Sequence, residues 1–206
     1  MLYVGLTGNI ASGKSEVASQ LGALGATIVD ADQLAREAVA KGTPAYEKLV
    51  ERWGPEILAA DGSLDRGALR HTVFADKSQL DELNAIVHPG ITKLRRRIVA
   101  EARKRGDAVL VYVVPLLFER RLVNEFDRII LVDAPRDTRF ERLVSSRGLS
   151  AEDAGNMIAA QMPAELKRAR ADYVIENDGS IEHLREQVDG VWARLTEIDA
   201  RSSLAG

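Results

Sequence analysis

Gly8-Asn9-Ile10-Ala11-Ser12-Gly13-Lys14-Ser15 fills the pattern G-x-x-x-x-G-K-[ST] at every fixed position. Before it, Leu2 to Thr7 is a short apolar run that reads as a buried strand. After it, Ser15 to Leu24 carries Val17, Ala18 and Leu21 at helical spacing, and Gly25 stops that helix. A strand that turns through glycines into a helix N-terminus is a phosphate cradle. Glycine permits the dihedrals that turn backbone N–H groups inward, and the helix adds the positive end of its dipole. Lys14 then reaches the β- and γ-phosphates as a mobile point charge. The Ser15 hydroxyl is the right size to ligate Mg²⁺. Residues Gly8 to Ser15, with Glu16 behind them, are the candidate nucleotide contacts. The bland alternative is a glycine-rich turn with an exposed lysine, and it leaves the flanking strand and helix unexplained.

Thr27-Ile28-Val29 is a second short strand, ending at Asp30-Ala31-Asp32. Strand, helix and strand within about 30 residues make a βαβ unit and a parallel sheet. Ligands of such sheets bind outside the strand carboxyl ends, where both acids lie. Alternation along an extended chain puts Asp30 and Asp32 on one side. Phosphoryl transfer to an alcohol benefits from a carboxylate that orients the hydroxyl and takes its proton, and Asp32 is the candidate. Asp30 either holds Mg²⁺ through water or caps the next helix, and in a further reading both acids are only caps. Arg36, one turn on, either pairs with Asp32 or holds a substrate phosphate.

From Gln33 to Lys104 the pattern is helical, interrupted at Gly42-Thr43-Pro44, Gly54-Pro55, Asp61-Gly62 and His88-Pro89-Gly90. No strand signal of comparable strength occurs there, so the segment reads as a helical insertion. Ala108 to Val114, Arg128 to Val132 and Tyr173-Val174-Ile175 supply three more strands, five in all. Helices are predicted over Pro135 to Ser146, Ser150 to Gln161, Pro163 to Ala171 and Ile181 to Leu195, with the tail Asp199 to Gly206 fraying. The class is α/β, a parallel five-stranded sheet flanked by helices.

Lys and Arg number 28 against 31 Asp and Glu, a net charge of −3, which disfavours a general nucleic-acid binder. The absence of cysteine excludes disulfides and thiolate metal sites and fits a reducing compartment. The longest apolar run, Ala108 to Phe118, contains a proline and is well short of the roughly 20 residues of a membrane span. The N-terminus lacks a signal-peptide pattern. The expectation is a cytoplasmic protein, monomeric, with neither nucleic acid nor membrane as partner.

The run from Val4 to Arg36, with its Gly-Asn-Ile-Ala-Ser-Gly-Lys-Ser loop and Val29-Asp30-Ala31-Asp32, resembles the dephospho-CoA kinase family. So do His88-Pro89 within helical sequence, Val114-Pro115-Leu116-Leu117-Phe118-Glu119, Ala159-Ala160-Gln161-Met162-Pro163 with Lys167, and Ala171-Asp172-Tyr173-Val174-Ile175 through Asn177 and Gly179. The resemblance runs from about Leu2 to Leu195. It implies a three-layer P-loop kinase fold in three parts. These are a nucleotide-binding core (1–32, 105–140 and 172–206), a helical substrate-binding insertion (33–104) and a small helical lid (141–171). It also implies transfer of the γ-phosphoryl group of ATP, with Mg²⁺, to the ribose 3′-hydroxyl of dephospho-CoA.

By this resemblance Arg142 is the first candidate for a lid contact to ATP and Arg147 the second. Arg139 shares a face with Arg142, and a solvated basic face is the alternative for each. Asn177 either contacts adenine or only forms its turn. His88 is a substrate contact or else a cap or core histidine, while Pro115, Leu116 and Glu119 line the acceptor cleft. Asp133 imitates the aspartate that follows a core strand in many nucleotide sites, but reads better as a cap for the helix at Pro135. The sequence departs from the family at Asn9 and Ala11, where glycine is frequent, and at Glu16, where a small hydroxyl residue is common. Its lid lacks an arginine one residue before Arg147. Two other readings share the motif: a kinase for another nucleotide or small metabolite, and a nucleotide-dependent switch. The Asn-Lys-x-Asp of guanine-reading switches is not present.

Overall fold

A computed structural model describes residues 1–74 and 76–204. The chain divides into two compact units, one of Met1–Asp30 with Ala102–Gly206 and one of Ala31–Glu101.

The first unit is built on strands β1 (Leu2–Gly8), β2 (Thr27–Asp30), β3 (Val109–Val113), β4 (Arg128–Asp133) and β5 (Tyr173–Glu176). All pair in parallel, in the order β2-β3-β1-β4-β5. β3 is buried along its whole length and β4 nearly so, which explains their unbroken apolar runs: both faces of the sheet are covered. The helices α1 (Lys14–Ala23) and α9 (Ile181–Leu204) cover one face. Val17, Ala18 and Leu21 pack there with Leu184, Val188, Val191 and Leu195 against Val4, Leu6, Val111 and Ile130. The opposite face carries an aromatic group in which the Tyr3 and Phe126 rings lie 5.0 Å apart and the Tyr112 and Phe126 rings 6.2 Å apart.

The strand order turns about β1, with β2 and β3 to one side and β4 and β5 to the other. This crossover creates a crevice at the carboxyl end of β1, and the loop after β1 lies there.

α9 runs nine residues beyond the expected Leu195, to Leu204. Ile198 packs on the core and the Met1 amino group pairs with Asp199 at 2.8 Å, so the expected fraying does not begin at Asp199. The last two residues of that expected tail, Ala205 and Gly206, lie outside the described residues.

The second unit comprises α2 (Ala31–Ala38), α3 (Pro44–Trp53), α4 (Arg66–Phe74) and most of α5 (Lys77–Arg105), around Leu49, Trp53, Ile57, Leu69 and Val73. Thr43 caps α3, its hydroxyl accepting from the Tyr46 N–H at 3.2 Å, with Pro44 in the first turn. The expected break at His88-Pro89-Gly90 does not occur, because α5 is continuous through it. An interior proline costs about 3 kcal/mol, and the apolar residues of α5 offset it: Leu80, Leu83, Ile86 and Val87 all pack on the unit's core. Gly90 serves a close approach, since a Cβ there would lie 3.3 Å from the Cβ of Ala38.

α2 begins at Ala31, so the extended alternation that was to align Asp30 with Asp32 stops at Asp30. Asp30 ends β2 and Asp32 lies in the first turn of α2, both exposed.

Candidate active site

The phosphate loop joins β1 to α1 and is held from several sides. Inside it, Lys14 Nζ donates to the carbonyls of Gly8 at 2.9 Å and Asn9 at 3.0 Å. Ser12 N–H donates to Asn9 O at 3.2 Å. Gly13 precedes α1 with φ 97°, a left-handed conformation costly for any residue with a Cβ. A Cβ there would also fall 2.0 Å from Asn177 Nδ2. At the start of α1 the Glu16 and Val17 N–H groups donate to Gly13 O at 3.1 and 3.3 Å. Ser15 and Glu16 are exposed in that first turn, and Glu16 Oε1 accepts from Gln20 Nε2 at 2.7 Å along the helix.

Ala11 adopts φ 58°, which for an alanine costs about 1–2 kcal/mol. Backbone geometry of this kind explains why glycine is frequent in such loops. The strain is held by neighbours: Ile10 and Ala11 pack against Leu143, Ala154 and Ile158, and Arg142 Nη1 donates to Ala11 O at 3.1 Å.

Arg142 opens an unusual stretch. The helix expected from Pro135 to Ser146 divides into α6 (Arg136–Glu141), preceded by Pro135 as its cap, and a π-helical turn over Arg142–Ser146. Such widened turns recur at functional sites. α7 (Ala151–Ala159) and α8 (Ala164–Arg168) follow. Arg142 also donates through Nη2 to Asn177 O at 3.2 Å, whereas Arg147 is exposed. Asn177 Nδ2 donates to Ser12 O at 2.8 Å and its N–H to Asp133 O at 2.7 Å, so this residue braces the loop against β4.

Arg139 does not share the exposure of Arg142. It is buried, with Nε donating to Ala134 O at 3.0 Å, and burial pushes its pKa down against the pull of Asp133. Nor does Asp133 cap α6. Its Oδ1 accepts from the Ala134 N–H at 2.9 Å, and its Oδ2 pairs with Arg168 Nη1 at 2.8 Å. Arg168 pairs with Glu176 as well, and Glu176 first, then Asp133, hold its pKa above the ordinary arginine value. Arg168 is a residue that sequence reasoning missed, since its acid partners lie 35 and 8 positions away.

Glu119, expected at the acceptor cleft, forms an ion pair through Oε1 with Lys167 Nζ at 2.7 Å, and the same oxygen accepts from the Met162 N–H at 3.2 Å. Lys167 is fully buried. Pro115 and Leu116 are half-buried, and Pro115 O accepts from Thr7 Oγ1 at 3.4 Å. Within the helical unit, Asp32 and Arg36 are exposed on α2. His88 is likewise exposed, which removes the core-histidine reading. It lines a cleft of about 570 Å³ on α5 with Ala85, Pro89, Thr92, Lys93 and Arg96.

The family model described as dephospho-CoA kinase matches residues 2–183. The chain belongs to the dephospho-CoA kinase family. A dephospho-CoA kinase of Thermobifida fusca is 45% identical over 195 residues, covering 95% of this chain and 96% of that one. One from Geobacter sulfurreducens is 44% identical over 194 residues, covering 94% and 98%. A solved structure from Thermus thermophilus, 40% identical, superposes with a TM-score of 0.77 over 95% of this chain and 98% of the other. As a dephospho-CoA kinase family member the chain is an ATP-dependent phosphotransferase acting on a hydroxyl group. Among the described residues no helix is long and apolar enough to cross a membrane.

In this dephospho-CoA kinase family member the Glu119–Lys167 pair also has a pH signature. Burial opposes the charge of Glu119, but the Lys167 hydrogen bond, the Lys167 charge and two backbone N–H groups outweigh it and hold the carboxyl below its ordinary value of 4.5. A depressed carboxyl stabilises the fold fully above the unfolded-state value and loses that contribution as pH falls through the folded one. Urea unfolding should therefore show a stability gap between wild type and Glu119→Gln that is constant near neutral pH. The gap should shrink below about pH 4.5.

Proposed function

We propose that the chain transfers the γ-phosphoryl group of ATP to the ribose 3′-hydroxyl of dephospho-CoA, giving coenzyme A and ADP. The observation that carries this reading is the phosphate loop, with Lys14 inside it and Arg142 on its flank, in a chain that matches the family over residues 2–183. Residues Gly8 to Glu16 hold the nucleotide, with Asn177 behind them. Arg142, and then Arg147, screen the transferring charge as a lid of residues 141–171 excludes water. The remaining core is 1–32, 105–140 and 172–206, and the acceptor is held by the insertion, 33–104.

Asp32 orients the acceptor hydroxyl and takes its proton as the oxygen attacks in line. Arg36, His88, Pro115 and Leu116 hold the acceptor. The Lys93 and Arg96 cations beside His88 suit its phosphates, and Glu119 is a further acceptor contact. Mg²⁺ fits this donor set. The described residues contain no cluster of three or more His, Asp or Glu able to hold a metal, and Mg²⁺ beside a nucleotide needs only one or two protein oxygens besides phosphate and water. Ser15 supplies one such oxygen, and the ion would neutralise charge on the phosphates. The protein acts as a cytoplasmic monomer without nucleic acid.

The test supplies the protein with Mg-ATP and dephospho-CoA and measures ADP and coenzyme A, expected in equal amounts. Nucleoside monophosphates and shikimate run in parallel. Preference for one of them would overturn the acceptor, and equal ADP release without any acceptor would favour a hydrolytic switch.

A further inference from the structure

We propose that Gln161 is a positioning residue of the phosphate loop, held in place by the ion pair of Glu119 with the buried Lys167, so that nucleotide affinity depends on a contact made outside the loop. The proposal rests on the kinase reading above.

The peptide unit between Asn9 and Ile10 is tied at both ends. Its carbonyl accepts from Lys14 Nζ at 3.0 Å and from Ser12 N–H at 3.2 Å. Its N–H donates to Gln161 Oε1 at 2.7 Å. A peptide unit is planar, so the direction of the N–H fixes that of the carbonyl. Gln161 thereby sets where the Asn9 carbonyl points, and that carbonyl is part of the seat of the Lys14 ammonium. The orientation of the side-chain amide follows from the same contact. A donor N–H requires the carboxamide oxygen opposite it, so the Gln161 NH₂ faces away. The next residue in the loop, Ala11, is already in a strained left-handed conformation, which makes an external tie on this peptide the more consequential.

Gln161 is itself anchored. Its neighbour Met162 donates its N–H to Glu119 Oε1, and the same oxygen receives Lys167 Nζ six residues after Gln161. Lys167 is fully buried and Glu119 half-buried, so parting the two would strand a desolvated ammonium. The segment from Gln161 to Lys167 is thus pinned at Met162 and Lys167 to the connection after β3, and at Gln161 to the loop after β1. Nothing in the phosphate-loop motif requires a glutamine about 150 residues away, so this contact is a second determinant of loop shape.

The experiment compares wild type with Gln161→Met, which keeps the length of the side chain but offers the Ile10 N–H only a weakly accepting thioether in place of the amide oxygen. Mg-ATP affinity is measured by calorimetry on the full chain, with KM for the acceptor and the melting temperature alongside. Gln161→Met should weaken Mg-ATP binding about fivefold or more and leave the acceptor KM and the melting temperature nearly unchanged. Glu119→Gln should weaken it too, and the double variant should bind no more weakly than the poorer single one, because the Glu119 effect passes through Gln161. Affinity within twofold of wild type in Gln161→Met, or losses that add in the double variant, would overturn the proposal. If Glu119→Gln does not fold, Gln161→Met alone decides. A wild-type chain that fails to bind Mg-ATP would instead overturn the kinase reading.

Discussion

Asp32→Asn is expected to lower kcat by about 10²–10⁴-fold, the range of a positioned general base. KM for both substrates should change little. Asparagine has the size of aspartate and still hydrogen-bonds the acceptor hydroxyl, but it cannot take the proton. The fold should tolerate the change. Asp32 is exposed in the first turn of α2, where a carboxylate contributes about 0.3–1 kcal/mol through the helix dipole. A melting curve near that of wild type, with unchanged ATP affinity and collapsed turnover, isolates the chemical step. Asp30→Asn is the control. Asp30 is exposed at the end of β2, and its loss should cost at most a few-fold. Turnover within threefold of wild type in Asp32→Asn would remove this residue from the base role.

The parts of the molecule that were legible in its sequence are those written in local pattern. The phosphate loop is contiguous, the five strands are apolar runs bounded by turn residues, and the glycine at position 13 is required by a backbone angle. The helical character of residues 33–104 was equally plain, but not the passage of α5 through Pro89. Local preference ends a helix there, and only the packing of Leu83, Ile86 and Val87 offsets it. The contacts that shape the site were less legible still. Gln161 reaches Ile10 across 151 positions, Asn177 reaches Ser12 across 165, and Arg168 meets Asp133 across 35. No periodicity encodes such pairs. Lys167 shows the limit well: a lysine in a short polar helix reads as a surface residue, and only the carboxylate of Glu119 makes its burial tolerable. Asp133 follows the same logic, since its partner Arg168 lies outside the local window that suggested a helix cap.

Lys14→Ala is expected to act differently from Asp32→Asn, damaging both nucleotide binding and turnover. The ammonium is already inside the loop, seated on two of the loop's own carbonyls, so little reorganisation is needed when phosphate arrives. Removing one preorganised donor of this kind costs about 10²–10³ in turnover, or about 2.7–4 kcal/mol. Because the charge meets the phosphates before transfer as well as during it, the affinity for Mg-ATP should fall too. Lys14→Arg should not rescue the enzyme. A planar guanidinium fork presents its donors in a fixed geometry, whereas the seat between Gly8 O and Asn9 O suits a compact, rotatable ammonium. Calorimetry of Mg-ATP binding beside single-turnover rates separates the two losses. A variant that binds ATP normally and fails only in turnover would confine Lys14 to the transition state. One that turns over at the wild-type rate would contradict the assignment of this loop as the seat of the triphosphate, and with it the contribution ascribed to Gln161.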